Sequence, residues 1–228
     1  MNPFVTAFGI AITIAAYGFS RTVAKRYPSP LTTPVFFSTP LVMLGLAVGG
    51  LRVDDYAAAR EILVFLLGPA TVALAVPLYK NRQTLIRNLL PIAVGVAVGA
   101  LVTLIAALVI SRLFTLTRIV ATSIAVKSVT APVAVELADI LGGNSSLTGA
   151  FVIMTGMVGA MLGPWLLNRI GIYAPVARGL ALGTISHGQG TAQALVEGEL
   201  HGAVAGIAMG MAAVLTSLVA PVLVPLLL

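Results

Sequence analysis

Apolar stretches long enough to cross a bilayer follow one another along almost the whole chain, parted only by short turns that carry the charge. Only 9% of the 228 residues are charged and 59% are hydrophobic, whereas a soluble domain carries about 25% charge. A water-soluble fold of this size cannot hide that much apolar surface, so lipid must serve as part of its solvent. The runs are Gly-rich and lack strict alternation, which predicts an all-α integral membrane protein and argues against a β-barrel.

A spanning helix needs about 20 residues. On that rule eight transmembrane segments are expected, at about 3–21, 32–51, 61–79, 89–112, 117–138, 146–168, 176–197 and 202–227. Arg21, Lys25 and Arg26 close the first; Lys80, Arg82 and Arg87 part the third from the fourth. Tyr27, Tyr56, Tyr79, Trp165 and Tyr173 fall near expected ends, as an interfacial belt does. No linker is long enough for a separate soluble domain, so 1–228 reads as one membrane domain. Met1-Asn-Pro-Phe has no basic region and no small-residue cleavage site follows, so the first run is expected to be a retained helix. With eight full crossings, alternate loops carry similar numbers of Lys and Arg, although the first and third loops favour both termini outside. A segment that enters without crossing would change the parity downstream.

The chain has no cysteine, which excludes disulfides, zinc–thiolate sites and thiol catalysis. Its net charge of +6 is spread over short connections. That distribution marks orientation in a bilayer and not a nucleic-acid surface.

Two polar islands interrupt the oil: Val126-Lys-Ser-Val-Thr-Ala-Pro-Val-Ala-Val-Glu136 and Ser186-His-Gly-Gln-Gly-Thr-Ala-Gln-Ala-Leu-Val-Glu197. Ionisable groups are costly at membrane depth, about 2.5–3.5 kcal/mol for a Lys on insertion scales, so their presence suggests a task. In the first island Pro132 has no N–H for the Ser128 carbonyl and is expected to break the helix. Lys127 would anchor an anion, with Ser128 and Thr130 as hydrogen-bond donors. Glu136 would hold a coupling cation or proton, or pair with Lys127 once the break brings them to one cavity. In the second island Gly188 and Gly190 are expected to unwind the chain, so that Ser186, His187, Gln189 and Thr191 line a binding site. Gln193 is placed with Glu136 as a coupling or structural residue. Asn144 and Ser145 stand before the next helix, where they would cap it or help bind an anion at its N-terminus. Lys127, Thr130, His187 and Thr191 are expected to converge on one cavity near the bilayer midplane. Glu197, Glu199 and His201 are read as interfacial and too weak a set for a metal, and Arg169 and Arg178 as interface charges. His187 beside Ser186 or Ser128 makes no recognisable nucleophile motif, so no enzyme is expected.

Gly68-Pro-Ala-Thr-Val-Ala, Thr130-Ala-Pro-Val-Ala-Val and Gly190-Thr-Ala-Gln-Ala-Leu recur about 60 residues apart, a pattern that would fit the internal repeats of transporters. Small residues at four-residue spacing (Gly45/Gly49, Gly95/Gly99, Gly159/Gly163, Gly202/Gly206/Gly210) are expected to serve tight packing within the chain. The scaffold is expected in 1–115 and the substrate-site half, with two broken helices, in 116–228.

Several motifs carry a family resemblance. They are Ala125-Val-Lys-Ser-Val-Thr-Ala-Pro132, Leu141-Gly-Gly-Asn-Ser-Ser-Leu-Thr148, Phe151-Val-Ile-Met-Thr-Gly156, Gly159-Ala-Met-Leu-Gly-Pro164, Ala177-Arg-Gly-Leu-Ala-Leu-Gly-Thr184, Ser186-His187, Gly190-Thr-Ala192 and Glu197-Gly-Glu199. Together they resemble the LrgB family of bacterial membrane proteins, CidB- or YohK-like. The chain departs from that pattern at Ala131, where a second Thr is common, and at Asn144. The resemblance implies two alternatives. One is a transporter or facilitator of small 2-hydroxy or 2-oxo monocarboxylates (glycolate, glycerate, pyruvate), as in the related plastid glycolate/glycerate translocator. The other is an antiholin-like regulator of murein hydrolase export and lysis. It also implies a bacterial inner-membrane location and a small LrgA/CidA-like partner. Beside that partner we expect a homodimer or higher oligomer, no cofactor, and a proton or sodium ion as the coupling species.

Overall fold

The computed structural model describes residues 3–228. Met1 and Asn2, which open the expected retained helix, and the side chain of Thr71 lie outside the described residues. Every regular element among the described residues is helical: α1 (Pro3–Arg26), α2 (Pro34–Val48), α3 (Ala57–Ala73), α4 (Ala75–Lys80), α5 (Arg82–Arg87), α6 (Leu89–Leu113), α7 (Arg118–Ala125), α8 (Ala131–Ile140), α9 (Ser145–Arg169), α10 (Pro175–Glu197) and α11 (Glu199–Leu227). Five stretches among the described residues are long and apolar enough to cross a membrane: Pro3–Arg26, Val53–Lys80, Leu89–Leu113, Ser145–Arg169 and Glu199–Leu227. The three other segments expected from sequence take different forms. Segment 32–51 holds the 15-residue α2. Segment 117–138 is two short helices, and segment 176–197 is a helix interrupted inside.

The chain forms two compact units, Met1–Ala75 and Val76–Leu228. In the first, α1 packs on α2 and α3. Gly45 of α2 leaves room for the Ile12 side chain of α1, and Tyr56 Oη lies 2.8 Å from Thr13 Oγ1. In the second, α10 lies against α6, α9 and α11, while α7 and α8 pack on α9. Its apolar interior has two main parts. Leu108, Val126, Val129, Ala134 and Val152 belong to one, and Ile92, Val96, Val204 and Ala208 to the other. Both are built largely of small and β-branched side chains. This is how helices approach when lipid, as apolar as the core itself, gives no hydrophobic drive to pack. The glycine pairs serve these intramolecular contacts: Gly95 and Gly99 of α6 face Leu180 and Thr184, and Gly159 and Gly163 of α9 face Ser186 and Leu182. Gly206 and Gly210 differ, since both face open space. Basic residues stack on aromatics at element ends, Arg82 over Tyr79 at 4.3 Å and Arg169 over Trp165 at 5.4 Å.

The three similar stretches sit in different settings. Gly68-Pro69 lies inside α3, Thr130-Ala131-Pro132 opens α8, and Gly190-Thr191 follows the interruption of α10.

Candidate functional site

α10 is a hairpin. Arg178 and Glu197 stand 19 residues apart, so a straight helix would hold them about 28 Å from each other. Instead Arg178 Nε and Nη2 donate to the two Glu197 carboxylate oxygens at 2.7 and 2.9 Å. Arg178 Nη1 also donates to Asn168 Oδ1 and to the Ile172 carbonyl, each at 2.8 Å. The fork therefore ties both ends of α10 to the C-terminal end of α9. Between the arms, Gly190 lies against the Leu182 carbonyl, and Leu182 and Ala194 share one apolar cluster. Arg178 and Glu197, read from sequence as interfacial, are thus an internal clamp. The missed signal was an Arg in the first turn and a Glu in the last turn of a segment with glycines between them.

The reversal falls on His187 (φ 41°, ψ −127°) and not on Gly188 or Gly190, where sequence placed the break. Such a conformation costs a non-glycine residue about 1–3 kcal/mol and persists only when its surroundings impose it. Two bonds do so here. The buried ring places Nε2 3.0 Å from the Val152 carbonyl, and Thr191 Oγ1 donates to the His187 carbonyl at 2.9 Å. A carbonyl can only accept, so Nε2 carries a proton, and in the neutral ring Nδ1 then presents a lone pair. One stripe of α9 makes room for the tip. A Cβ on Gly156 would lie 2.6 Å from His187 Cε1 and 2.7 Å from Gln189 Oε1, and Gly159 lies against Ser186. Gly190 is needed for close approach of the two arms, while Gly188 faces open space. Buried Gln189 Oε1 has no hydrogen-bond partner. Gly156 lies about 16 Å from the start of α9 and about 20 Å from its end, so the hairpin tip meets α9 half-way along.

The first island is unwound over 126–130. Pro132 does not break a helix: it sits in the first turn of α8, where a missing N–H costs nothing. Ahead of it, among the described residues, the carbonyls of Lys127, Ser128 and Val129 accept no backbone hydrogen bond, and the amides of Ser128, Thr130 and Ala131 donate none. Thr130, the N-cap of α8, leaves its hydroxyl unused for capping. Lys127 Nζ is 3.2 Å from Ser128 Oγ, and no acidic side chain pairs with it among the described residues. The expected Lys127–Glu136 pair is absent there as well, because Glu136 lies on the exposed face of α8 in a groove with Pro132, Ser217 and Pro221.

Asn144 and Ser145 have structural partners. Asn144 Oδ1 accepts from Leu147 N at 2.9 Å as the cap of α9, its own N–H donates to Ser123 Oγ at 2.8 Å, and Ser145 bonds to Asp139. Gln193 is half-buried with no side-chain partner. Among the described residues no hydrogen bond or ion pair joins one island to the other. What they share is Val152: its side chain packs with Val126 and Val129, and its carbonyl meets His187.

A family model described as LrgB-like family matches residues 13–226. The chain belongs to the LrgB-like family. It is similar to the uncharacterized protein YxaC of Bacillus subtilis (strain 168), 38% identical over 84% of this chain and 83% of that one. It is also similar to YwbG of the same organism, 32% identical over 96% and 98%. The holin-like protein CidB of Staphylococcus aureus (strain Mu50 / ATCC 700699) is 31% identical over 98% of each chain. No solved structure matches it. Its apolar helices make this LrgB-like chain a multi-pass membrane protein.

Proposed function

We propose that the chain moves small 2-hydroxy or 2-oxo monocarboxylates across the bacterial cytoplasmic membrane by alternating access. The observation that carries this reading is Lys127, half-buried and without an acidic partner among the described residues, beside unwound backbone in which the Ser128 and Thr130 amides and the Lys127, Ser128 and Val129 carbonyls make no backbone hydrogen bond there. An unpaired ammonium at membrane depth is costly, and an anionic substrate offsets that cost on each turnover. In this reading the two interruptions lie near the bilayer centre. α10 enters and leaves on the same side, and irregular backbone is allowed because it faces protein or a water-filled path. Lys127 takes the carboxylate, Ser128, Thr130 and free amides take its oxygens, and from the hairpin tip His187 Nδ1 accepts from a 2-hydroxyl while the Gln189 amide N–H donates to a 2-oxo oxygen. A small LrgA/CidA-like partner and a homodimer belong to the same proposal.

A second reading rests on the CidB relatives, which are named holin-like: a regulator acting on a holin-like membrane partner, in which the islands only hold helices together. Uptake of labelled glycolate or pyruvate by liposomes holding the purified protein, with and without an LrgA-like subunit, separates the two. Transport predicts saturable uptake that Lys127→Ala lowers by about tenfold to a hundredfold with the fold intact. No uptake of any short carboxylate under either condition would leave the regulatory reading standing.

A further inference from the structure

We infer that the groove between α8 and α11 binds a monovalent metal cation of the sodium kind through Glu136 and Ser217. The inference rests on the transport reading only for the ion's role in coupling; the binding itself stands on the groove. The groove is open, with a volume of about 510 Å³, and its walls are mostly apolar. Among the described residues Glu136 is the one ionisable side chain that lines it, and no basic residue does.

Glu136 and Ser217 both line this groove, and between them they offer three oxygen sources. The first is the Glu136 carboxylate, on an exposed face of a helix too short to span. The second is the Ser217 hydroxyl, which donates to the Ala213 carbonyl at 2.8 Å and so keeps its own lone pairs free to accept. The third is the Ser217 main-chain carbonyl. Its helical donor would be residue 221, four positions on, and residue 221 is Pro, with no N–H to give. Pro221 lines the same groove. A proline inside a long helix is costly, about 3 kcal/mol, and here it removes the N–H that would otherwise bond the Ser217 carbonyl.

Hard oxygen ligands with no nitrogen or sulfur select alkali and alkaline-earth ions over transition metals. A single carboxylate supplies a single negative charge, which matches a monovalent ion and leaves a divalent one half-neutralised. Ser217 lies about 15 Å from the end of α11, well inside a spanning helix. A bare carboxylate there is costly and a bound cation neutralises it. The groove has room for such an ion with water completing its shell.

The test uses the purified full chain in detergent. Thermal unfolding is followed in sodium chloride against choline chloride at equal ionic strength. Sodium is expected to raise the Tm in a saturable way. Glu136→Gln should raise the half-saturating sodium concentration by about tenfold or more, the loss of one charge-assisted contact. Pro221→Ala returns an N–H to the Ser217 carbonyl and should weaken the sodium response while leaving the helix content, read by circular dichroism, unchanged. Should Glu136→Gln not fold, Pro221→Ala and Ser217→Ala decide. No sodium-specific stabilisation of the wild type, or the same response in these variants, would overturn the site. Lys127-dependent uptake without any sodium effect sinks this inference and spares the transport reading; sodium binding without uptake of any carboxylate does the reverse.

Discussion

Arg178 grips both carboxylate oxygens of Glu197 across the open end of the α10 hairpin, at 2.7 and 2.9 Å. Neither side chain is more than 14% exposed. The pair converts a 23-residue helix, long enough for most of a bilayer, into two arms that start and finish together. Asn168 and the Ile172 carbonyl use the remaining face of the guanidinium, so the clamp also fixes the hairpin to α9.

Removing one member of a buried pair strands the other. Arg178→Ala is therefore expected to destabilise the protein by about 3–5 kcal/mol. Arg178→Lys keeps the charge but loses the planar fork, and should fall between wild type and Ala. Arg178→Ala/Glu197→Ala removes the stranded carboxylate and should recover part of the loss. Denaturant unfolding in detergent checks all three; an Arg178→Ala protein within about 1 kcal/mol of wild type would mean the clamp is idle.

The seat of His187 depends on a missing methyl group. Gly156→Ala places a carbon 2.6 Å from His187 Cε1, so the ring or the tip must move. An overpacked site of this kind costs about 1–3 kcal/mol, and here the bond to the Val152 carbonyl goes with it. Gly206→Ala is the control, because nothing lies within 4 Å of its added carbon and Ala is the better helix former by up to about 1 kcal/mol. Equal stability of the two variants would show that the tip does not rely on α9.

Composition alone gave the helical membrane class, since nothing else reconciles so few charges with so many apolar residues. The small-residue spacings point to close helix packing at Gly95/Gly99 and Gly159/Gly163, where a neighbour fills the gap, but not at Gly206 and Gly210, which face open space. Hydropathy marks 176–197 as an apolar segment and says nothing of its reversal. A hairpin that returns inside protein and one that crosses lipid need the same apolar composition, and only the Arg178–Glu197 contact tells them apart. The break in that segment was assigned to glycine on conformational freedom, yet it falls on His187, where Val152 and Thr191 supply the restraint from outside the local sequence. Sequence alone cannot tell Pro132 as a helix breaker from Pro132 as a helix opener, because its place relative to the helix start is not a local property. The groove joining Glu136 to Ser217 spans 81 positions, beyond the reach of any spacing argument.

Asn144 is expected to act on stability and not on transport. Its Oδ1 caps α9 through Leu147 N, so Asn144→Ala should cost about 1 kcal/mol, while Asn144→Asp keeps the cap and suits the helix dipole. Thermal unfolding measures the loss. In the liposome assay both variants should keep the wild-type KM; a raised KM in Asn144→Asp would return this residue to the substrate site.

Lys127 and Ser128 are adjacent and hydrogen-bonded at 3.2 Å, yet their removal should have unequal effects. Lys127 supplies the charge. Lys127→Met keeps the length and apolar stem, removes the unpaired ammonium, and should hold or improve stability, because no acidic partner is stranded. Uptake should fall by about tenfold to a hundredfold, the worth of one hydrogen bond to a charged group. Ser128→Ala loses a neutral hydroxyl and should cost about tenfold or less. Lys127→Arg keeps the charge on a bulkier fork and should retain part of the uptake. Reading stability and uptake on the same preparations makes the comparison decisive: a structural lysine loses both together, whereas an anion-binding lysine loses uptake while the fold is unharmed.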